Sequence, residues 1–258
     1  MSTAPTRPSR WILVPRASPA ARWRLVCLPH AGGGASTYFP WGAALEPSGI
    51  EVRSVQYPGR ESRFSEPRIE STTAMVQALA DRWGEICGGG RCALYGHSMG
   101  ALLGFELAVE LARRGVPHQP RRLFLTGHEA PHLPYRAPKV HALPAAEFLP
   151  AIGTHFGGIP DELLQDRDIA ELIATTLRSD FTLVETYAWQ NSKPVHVPIS
   201  AMGGINDPWA TEAELAAWAQ HTSGGFSLRM FPGDHFFNQT ARGDVLAQIV
   251  SDLSAMPT

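Results

Sequence analysis

The chain has 258 residues, of which 44% are hydrophobic and 18% charged, with a formal net charge of −2 at pH 7. This length and composition suit one large domain that buries its own core. The charge argues against a nucleic-acid-binding protein, which would carry a basic excess, and no run approaches the ~18 apolar residues of a membrane span.

The N-terminal residues 1–9 are polar and proline-rich, without the apolar stretch of a signal peptide. They predict a short flexible tail ahead of one domain covering residues 10–258. The three cysteines match no usual zinc spacing and are expected to be buried thiols. These features together predict a cytoplasmic protein.

Short apolar runs alternate with helical patterns along most of the chain, which is typical of βαβ units and a mainly parallel sheet. Many of the runs are rich in Val, Ile, Leu or Phe, as strands covered on both faces are. We expect the first two strands to form an antiparallel pair at one edge. The predicted strands are Trp11–Val14, Arg24–Leu28, Glu51–Gln56, Cys92–Tyr95, Arg122–Thr126, Val197–Met202 and Ser227–Phe231.

Helical patterns fill most of the intervals between these strands. The pattern of Met99–Arg114 ends with two arginines followed by Gly115, a sequence that favours a helix C-terminus. The other helices predicted outside residues 129–192 are Thr72–Cys87, Thr211–His221 and Gln239–Leu253.

Residues 129–192 break the alternation, because they contain no strand pattern. Instead they contain helical patterns around Ala145–His155 and Ile169–Tyr187. A helical insertion between two sheet strands is where a lid over an active site would lie. An ordinary packing or dimerisation insertion is the alternative.

The sequence Gly96-His97-Ser98-Met99-Gly100 matches the pattern G-x-S-x-G and lies between a predicted strand and a predicted helix. This is the setting of the nucleophile elbow, a strained turn that exposes a serine hydroxyl above the sheet. The sequence therefore predicts an α/β-hydrolase fold, a mostly parallel central sheet flanked by helices, with a helical lid insertion and Ser98 as nucleophile. A glycine-rich turn with a helix-capping serine is the alternative.

A serine hydroxyl needs a base to accept its proton, and the chain order in this fold is serine, acid, histidine. Among the ten histidines, His235 fits best because it lies between the last predicted strand and the last helix. Asp207, in the loop after Val197–Met202, is the favoured acid, and capping of the next helix is its structural alternative. Glu129, after the preceding strand, is the rival acid.

The oxyanion of the reaction requires backbone amides, one from the residue after the nucleophile and one from an early strand-helix loop. These are Met99 and, in the glycine-rich loop 28–36, Ala31. The loop lacks the spacing of phosphate-binding or dinucleotide-binding loops. We expect His30 to brace it and His97 to pack against the elbow. This chemistry needs neither a metal nor an organic cofactor.

Four motifs together resemble the type II thioesterases, free-standing enzymes that accompany modular polyketide and nonribosomal peptide synthases. They are Leu28-Pro29-His30-Ala31-Gly32-Gly33, Gln56-Tyr57-Pro58-Gly59-Arg60-Glu61, Gly96-His97-Ser98-Met99-Gly100 and Gly233-Asp234-His235-Phe236-Phe237. The lid segments 157–160 and Arg178-Ser179-Asp180-Phe181 are also similar to theirs.

The resemblance implies hydrolysis of aberrant acyl groups from the phosphopantetheine arm of acyl or peptidyl carrier proteins, and it implies the triad Ser98, Asp207 and His235. A small-ester esterase or lipase of the same fold and a catalytically inactive binding protein are the alternatives. Because carrier proteins are generally acidic, a basic patch near the site would help docking. The candidates are Arg60, Arg63, Arg113, Arg114, Arg121 and Arg122.

Overall fold

The computed structural model describes residues 10–157 and 165–257. The predicted tail, residues 1–9, and residues 158–164 of the predicted lid lie outside the described residues. No helix in the described ranges is long and apolar enough to cross a membrane.

One sheet of seven strands forms the centre of the molecule, in the order β1-β3-β2-β4-β5-β6-β7. All neighbouring strands are parallel except β1 and β3, so the predicted mainly parallel sheet is confirmed. The strands are β1 (Ile12–Leu13), β2 (Trp23–Leu28), β3 (Ile50–Val55), β4 (Cys92–His97), β5 (Leu123–Thr126), β6 (Ile199–Gly204) and β7 (Phe226–Phe231).

The antiparallel edge differs from the prediction. Strand β1 pairs with β3, with Ile12 opposite Val55, and the predicted pairing of the first two strands is wrong. The reason is that β2 lies inside the sheet, where β3 and β4 occupy both of its hydrogen-bonding edges. Only the outer edge of β3 is left for the short β1.

Helices cover both faces of the sheet. They are α1 (Phe39–Leu45), α2 (Thr72–Asp81), α3 (Trp83–Cys87), α4 (Met99–Arg114), α5 (Ala145–His155), α6 (Arg167–Glu185), α7 (Glu212–Ala216), α8 (Phe237–Thr240) and α9 (Arg242–Ser254). The bounds of α4 and α5 are as predicted. Two long predicted helices are interrupted instead, at Arg82 (φ −107°, ψ 9°) and at Ala241 (φ −103°, ψ 30°), where the backbone leaves the helical region.

Alternate residues of β2 belong to two different cores, because successive side chains of a strand point to opposite faces. Val26 and Leu28 pack with α2, α3 and α4 on one face. Leu25 and Cys27 pack with α1 and α9 on the other. A third apolar cluster joins α5 to α6 through Phe148, Ile152, Leu177 and Phe181.

The site lies beside the ends of β2 and β4, two neighbouring strands after which the chain continues towards opposite edges of the sheet. After β2 the chain proceeds to β3 on one side, and after β4 it proceeds to β5 on the other. In open α/β sheets the crevice at the carboxyl ends of such strands is the usual ligand site. Here it places the loop after β2 beside the turn after β4.

Candidate active site

The turn after β4 holds Ser98 in a strained conformation, with φ 54° and ψ −120°. A non-glycine residue in such a region costs on the order of 1–3 kcal/mol. Both flanking glycines are required by close backbone contacts. A Cβ on Gly96 would lie 2.0 Å from the Gly100 carbonyl oxygen, and one on Gly100 would lie 2.1 Å from that of Leu28.

His235 and Asp207 are joined directly, with His235 Nδ1 at 2.7 Å from Asp207 Oδ2. Because a carboxylate only accepts, Nδ1 carries the proton and Nε2 of the neutral ring is left as the acceptor. Asp207 is buried, at 4% exposure, and its Oδ1 accepts from the amides of Trp209 and Ala210. The carboxylate is thereby fixed through both oxygens.

The alternative role of Asp207 as a cap of α7 is not what the structure shows, since Thr211 is the N-cap of that helix. The rival acid Glu129 has no hydrogen bond to His235, whose ring instead bonds to Asp207. The residue of this loop beside the histidine is Gly127, where an added Cβ would lie 3.5 Å from His235 Cε1. The geometry favours Asp207.

The two predicted oxyanion donors lie in the same site. Met99 is the first residue of α4, and both Met99 and Ala31 line the cavity that contains Ser98 and His235. Within residues 10–157 and 165–257, neither amide hydrogen has a protein acceptor. Both are therefore available to an oxyanion.

The segment Gln56–Glu61 braces the loop that contains Ala31. Gln56 Oε1 accepts from the Ala35 amide at 3.2 Å, and Glu61 accepts from the Ser36 hydroxyl and amide. Arg60 Nη1 donates to the Gly33 carbonyl at 2.9 Å. No chemical role was predicted for Gln56–Glu61 from the sequence, and the structure shows that this segment supports the loop.

Asp180 of α6 completes this support and was not predicted as a site residue. Its carboxylate binds Arg60 through two hydrogen bonds, of 2.6 and 2.8 Å, and accepts from the Gly32 amide at 2.7 Å. Burial would lower the pKa of Arg60, but the Asp180 charge and hydrogen bond raise it above its ordinary value. The sequence signal was the segment Arg178-Ser179-Asp180-Phe181, which carries the family resemblance.

Two further histidines lie against the site in the places expected for packing roles. His97 Nδ1 is 2.9 Å from Thr126 Oγ1, and its ring centroid is 5.0 Å from that of His235. The His30 ring contacts Gly33, where an added Cβ would lie 3.0 Å from His30 Cε1. Burial lowers the pKa of His30 to about 4 and that of His97 well below its ordinary value, with the His235 charge as the next cause in each. Both rings are therefore neutral at pH 7.

A cavity of about 410 Å³ lies in front of Ser98 and His235. Helices α5 and α6 form much of its wall, and most of the side chains they contribute are apolar: Ile152, Leu172, Ile173, Leu177 and Phe181. Such a wall suits a hydrocarbon chain.

The six candidate arginines do not gather into the expected basic patch beside the cavity. Arg121 and Arg122 directly precede β5, at the end of the sheet opposite Ser98. Arg60 and Arg63 are buried, and they bind Asp180 and Glu66 respectively. Arg113 and Arg114 lie in the last turn of α4, the end remote from Ser98, and bind Glu110. Composition gives the number of arginines, but tertiary contacts decide which of them remain unpaired.

Comparison with known proteins identifies the family of this chain. The model of the thioesterase domain matches residues 23–255. The chain belongs to the thioesterase family. The predicted resemblance is confirmed, and the protein is an enzyme that hydrolyses thioesters.

Similar proteins belong to antibiotic and related biosynthetic systems. The thioesterase PikA5 of Streptomyces venezuelae is 40% identical, over 95% of this chain and 84% of its own length. The type II thioesterase BorB, from the borrelidin biosynthetic cluster, is 34% identical with a TM-score of 0.84, over 95% of this chain and 98% of that one.

A protein named linear gramicidin dehydrogenase LgrE, from Brevibacillus parabrevis, is 39% identical, over 96% of this chain and 94% of its own length. Its name describes a different reaction. This thioesterase lacks the G-x-G-x-x-G spacing of a dinucleotide-binding loop, so the name gives no reason to assign hydride transfer here.

Proposed function

We propose that this thioesterase releases acyl groups from the phosphopantetheine arm of acyl or peptidyl carrier proteins, and so clears aberrant acyl groups from a polyketide or nonribosomal peptide synthase. The observation that carries the proposal is the pair of His235 and the buried Asp207, in the cavity that also contains Ser98 and has an apolar wall. Because the chain belongs to the thioesterase family, the bond that it breaks is a thioester.

In the first half of the reaction, Ser98 Oγ attacks the thioester carbonyl while His235 Nε2 takes its proton. Asp207 holds the ring in the Nδ1–H tautomer and stabilises the imidazolium. The Met99 and Ala31 amides bind the oxyanion. The C–S bond then breaks, and the departing thiolate takes the proton from His235 Nε2, which returns the ring to its neutral form. The thiolate departs readily because an ordinary thiol has a pKa near ~8.5.

In the second half, His235 Nε2 takes a proton from water as the water oxygen attacks the acyl-Ser98 ester. The ester bond then breaks, the proton passes from His235 to Ser98 Oγ, and the carboxylic acid is released. We propose that α5 and α6, within the insertion 129–192, are a lid that keeps bulk water from the ester. The pantetheine arm is long and narrow, so a covered cavity suits it. We place the enzyme in the cytoplasm with its carrier proteins.

The decisive experiment presents a panel of acyl-loaded carrier proteins to the enzyme and follows deacylation by intact mass. The expected result is loss of the acyl mass with the wild type and none with Ser98→Ala. A fluorophosphonate probe, which labels activated serines, should label the wild type and not the variant.

The same preparations are then assayed on p-nitrophenyl esters of matched acyl length. The proposal requires a higher kcat/KM on the carrier-bound thioester. A large preference for the oxygen esters would indicate a small-ester esterase, and absence of probe labelling in the wild type would indicate an inactive hydrolase-like protein.

A further inference from the structure

One carboxylate in the wall of the acyl cavity accepts no hydrogen bond from the residues that the structure describes. Glu129 lines the cavity that contains Ser98, and its side chain is 12% exposed. Among the residues that the structure describes, none donates a hydrogen bond to its carboxylate. A charge that is removed from bulk water without a partner is costly, so a missing partner is itself informative.

The other charged side chains of this wall have hydrogen-bonded partners. Arg60 is bound by the Asp180 carboxylate through two hydrogen bonds. Glu61 accepts from both the hydroxyl and the amide of Ser36. Glu129 therefore differs from them in having its carboxylate oxygens left for a ligand.

The neighbours of Glu129 leave its carboxylate without a hydrogen-bond donor. His128 Nδ1 donates to the Glu129 backbone carbonyl at 2.8 Å and lies 3.6 Å from Oε2. Arg136 is bound to Glu214. Burial, followed by the charges of Glu185 and Glu129, raises the pKa of Tyr135, so this phenol stays neutral.

An acyl chain on Ser98 would occupy the cavity that Ser98 shares with Glu129. Two residues before it, Gly127 lies beside His235, with an added Cβ 3.5 Å from His235 Cε1. Two residues of chain span at most about 7 Å. Glu129 and Tyr135 also line an adjoining cavity of about 470 Å³, which offers space beyond the carboxylate.

We propose that Glu129 binds the ammonium group of an aminoacyl chain, so that this thioesterase prefers amine-bearing acyl groups to neutral acyl groups of the same shape. An ammonium group offers three donors and a positive charge to an acceptor-only carboxylate. A charge-assisted hydrogen bond in a partly dry cavity is among the strong polar contacts. The inference rests on the proposed function and deepens it by naming a substrate class.

The test uses two isosteric thioesters on one carrier protein. The β-alanyl group ends in an ammonium group, and the butanoyl group ends in a methyl group. For each enzyme the two kcat/KM values are measured on the same preparation, and their ratio is taken. Comparing this ratio between wild type and Glu129→Gln cancels the intrinsic reactivity of the thioesters. The ratio also does not depend on the folded fraction of a variant.

We expect Glu129→Gln to lower the β-alanyl to butanoyl ratio at least about tenfold, the order expected for one charged hydrogen bond. Glu129→Asp, which keeps the charge, should retain most of the preference. Glu171→Gln, on the exposed surface of α6, should leave the ratio unchanged and so control for a general loss of negative charge.

An equal ratio in wild type and Glu129→Gln would overturn the inference while leaving the proposed function intact. An equal drop in Glu171→Gln would also overturn it, because the effect would then be that of overall charge. Failure of the wild type on both thioesters is a different outcome, since it overturns the proposed function and this inference with it.

Discussion

At the residue scale, the Asp207 carboxylate is held through both of its oxygens. Its Oδ2 accepts from His235 Nδ1, while its Oδ1 accepts from two backbone amides of the following turn. A group held in this way has one orientation available. It can therefore keep the imidazole in the tautomer whose Nε2 faces the nucleophile.

Asp207→Asn should lower kcat/KM for an acyl-carrier thioester by about 10³- to 10⁴-fold, because the amide favours the wrong tautomer of His235. The measurement is steady-state deacylation at pH 7. Asp234→Asn is the matched control, since Asp234 adjoins the histidine in sequence but is exposed and bonds only to the Phe236 amide. A similar loss in both variants would contradict the role of Asp207.

At the scale of elements, helix α6 is bonded directly to the loop that contains Ala31. Asp180 of α6 is 148 residues from Gly32 in sequence, yet its carboxylate binds the Gly32 amide and Arg60 together. Gly32 follows Ala31 directly, so this bond helps to set the direction of the Ala31 amide. A shift of α6 would therefore reach the oxyanion site.

Asp180→Asn should cost about 3–5 kcal/mol in the free energy of unfolding, since it leaves the Arg60 guanidinium buried without a counter-charge. The double variant Arg60→Met with Asp180→Leu removes both charges and should recover most of that stability. Its kcat should nonetheless stay about tenfold to 100-fold low, because Gly32 still lacks its acceptor and small misplacements are costly.

Urea unfolding and steady-state kinetics on the same variants separate these two effects. Recovery of kcat together with stability in the double variant would show that Asp180 has a structural role only. A drop in kcat with little change in KM is the result that a positioning role requires.

At the scale of the whole molecule, several buried histidines couple stability to pH. Burial lowers the pKa of His30 and of His221 to about 4, and that of His97 well below its ordinary value. In the unfolded chain the same rings titrate near ~6.5. Between these values the unfolded chain binds more protons than the folded protein.

The folded protein should therefore lose stability as the pH falls from about 6.5 towards 4, by about 1.4 kcal/mol per pH unit for each such ring. Urea unfolding between pH 7 and pH 4.5 measures this slope. His97→Asn should reduce this slope by the contribution of one ring. His155→Gln, at an exposed position, should leave the slope unchanged. The same slope in His97→Asn and wild type would contradict the assignment.

Sequence patterns determined those features that depend on neighbours along the chain. The bounds of α4 were predictable because the elbow begins the helix and Gly115 ends it in the left-handed region. The strands were predictable from their apolar runs, and Ser98 from the two glycines that its turn requires. The roles of Ser98, Asp207, His235, Met99 and Ala31 stay predictions, which the variants above test.

Tertiary structure decided what depends on contacts between distant segments. It paired β1 with β3, because both edges of β2 are occupied, and it joined His235 to Asp207 and not to Glu129. It also bound Arg60 to Asp180 and left the Glu129 carboxylate, in the wall of the cavity, without a hydrogen-bond donor among the described residues. A sequence pattern records which residue types are present, but only the fold determines which charges meet, because partners are chosen by distance in space.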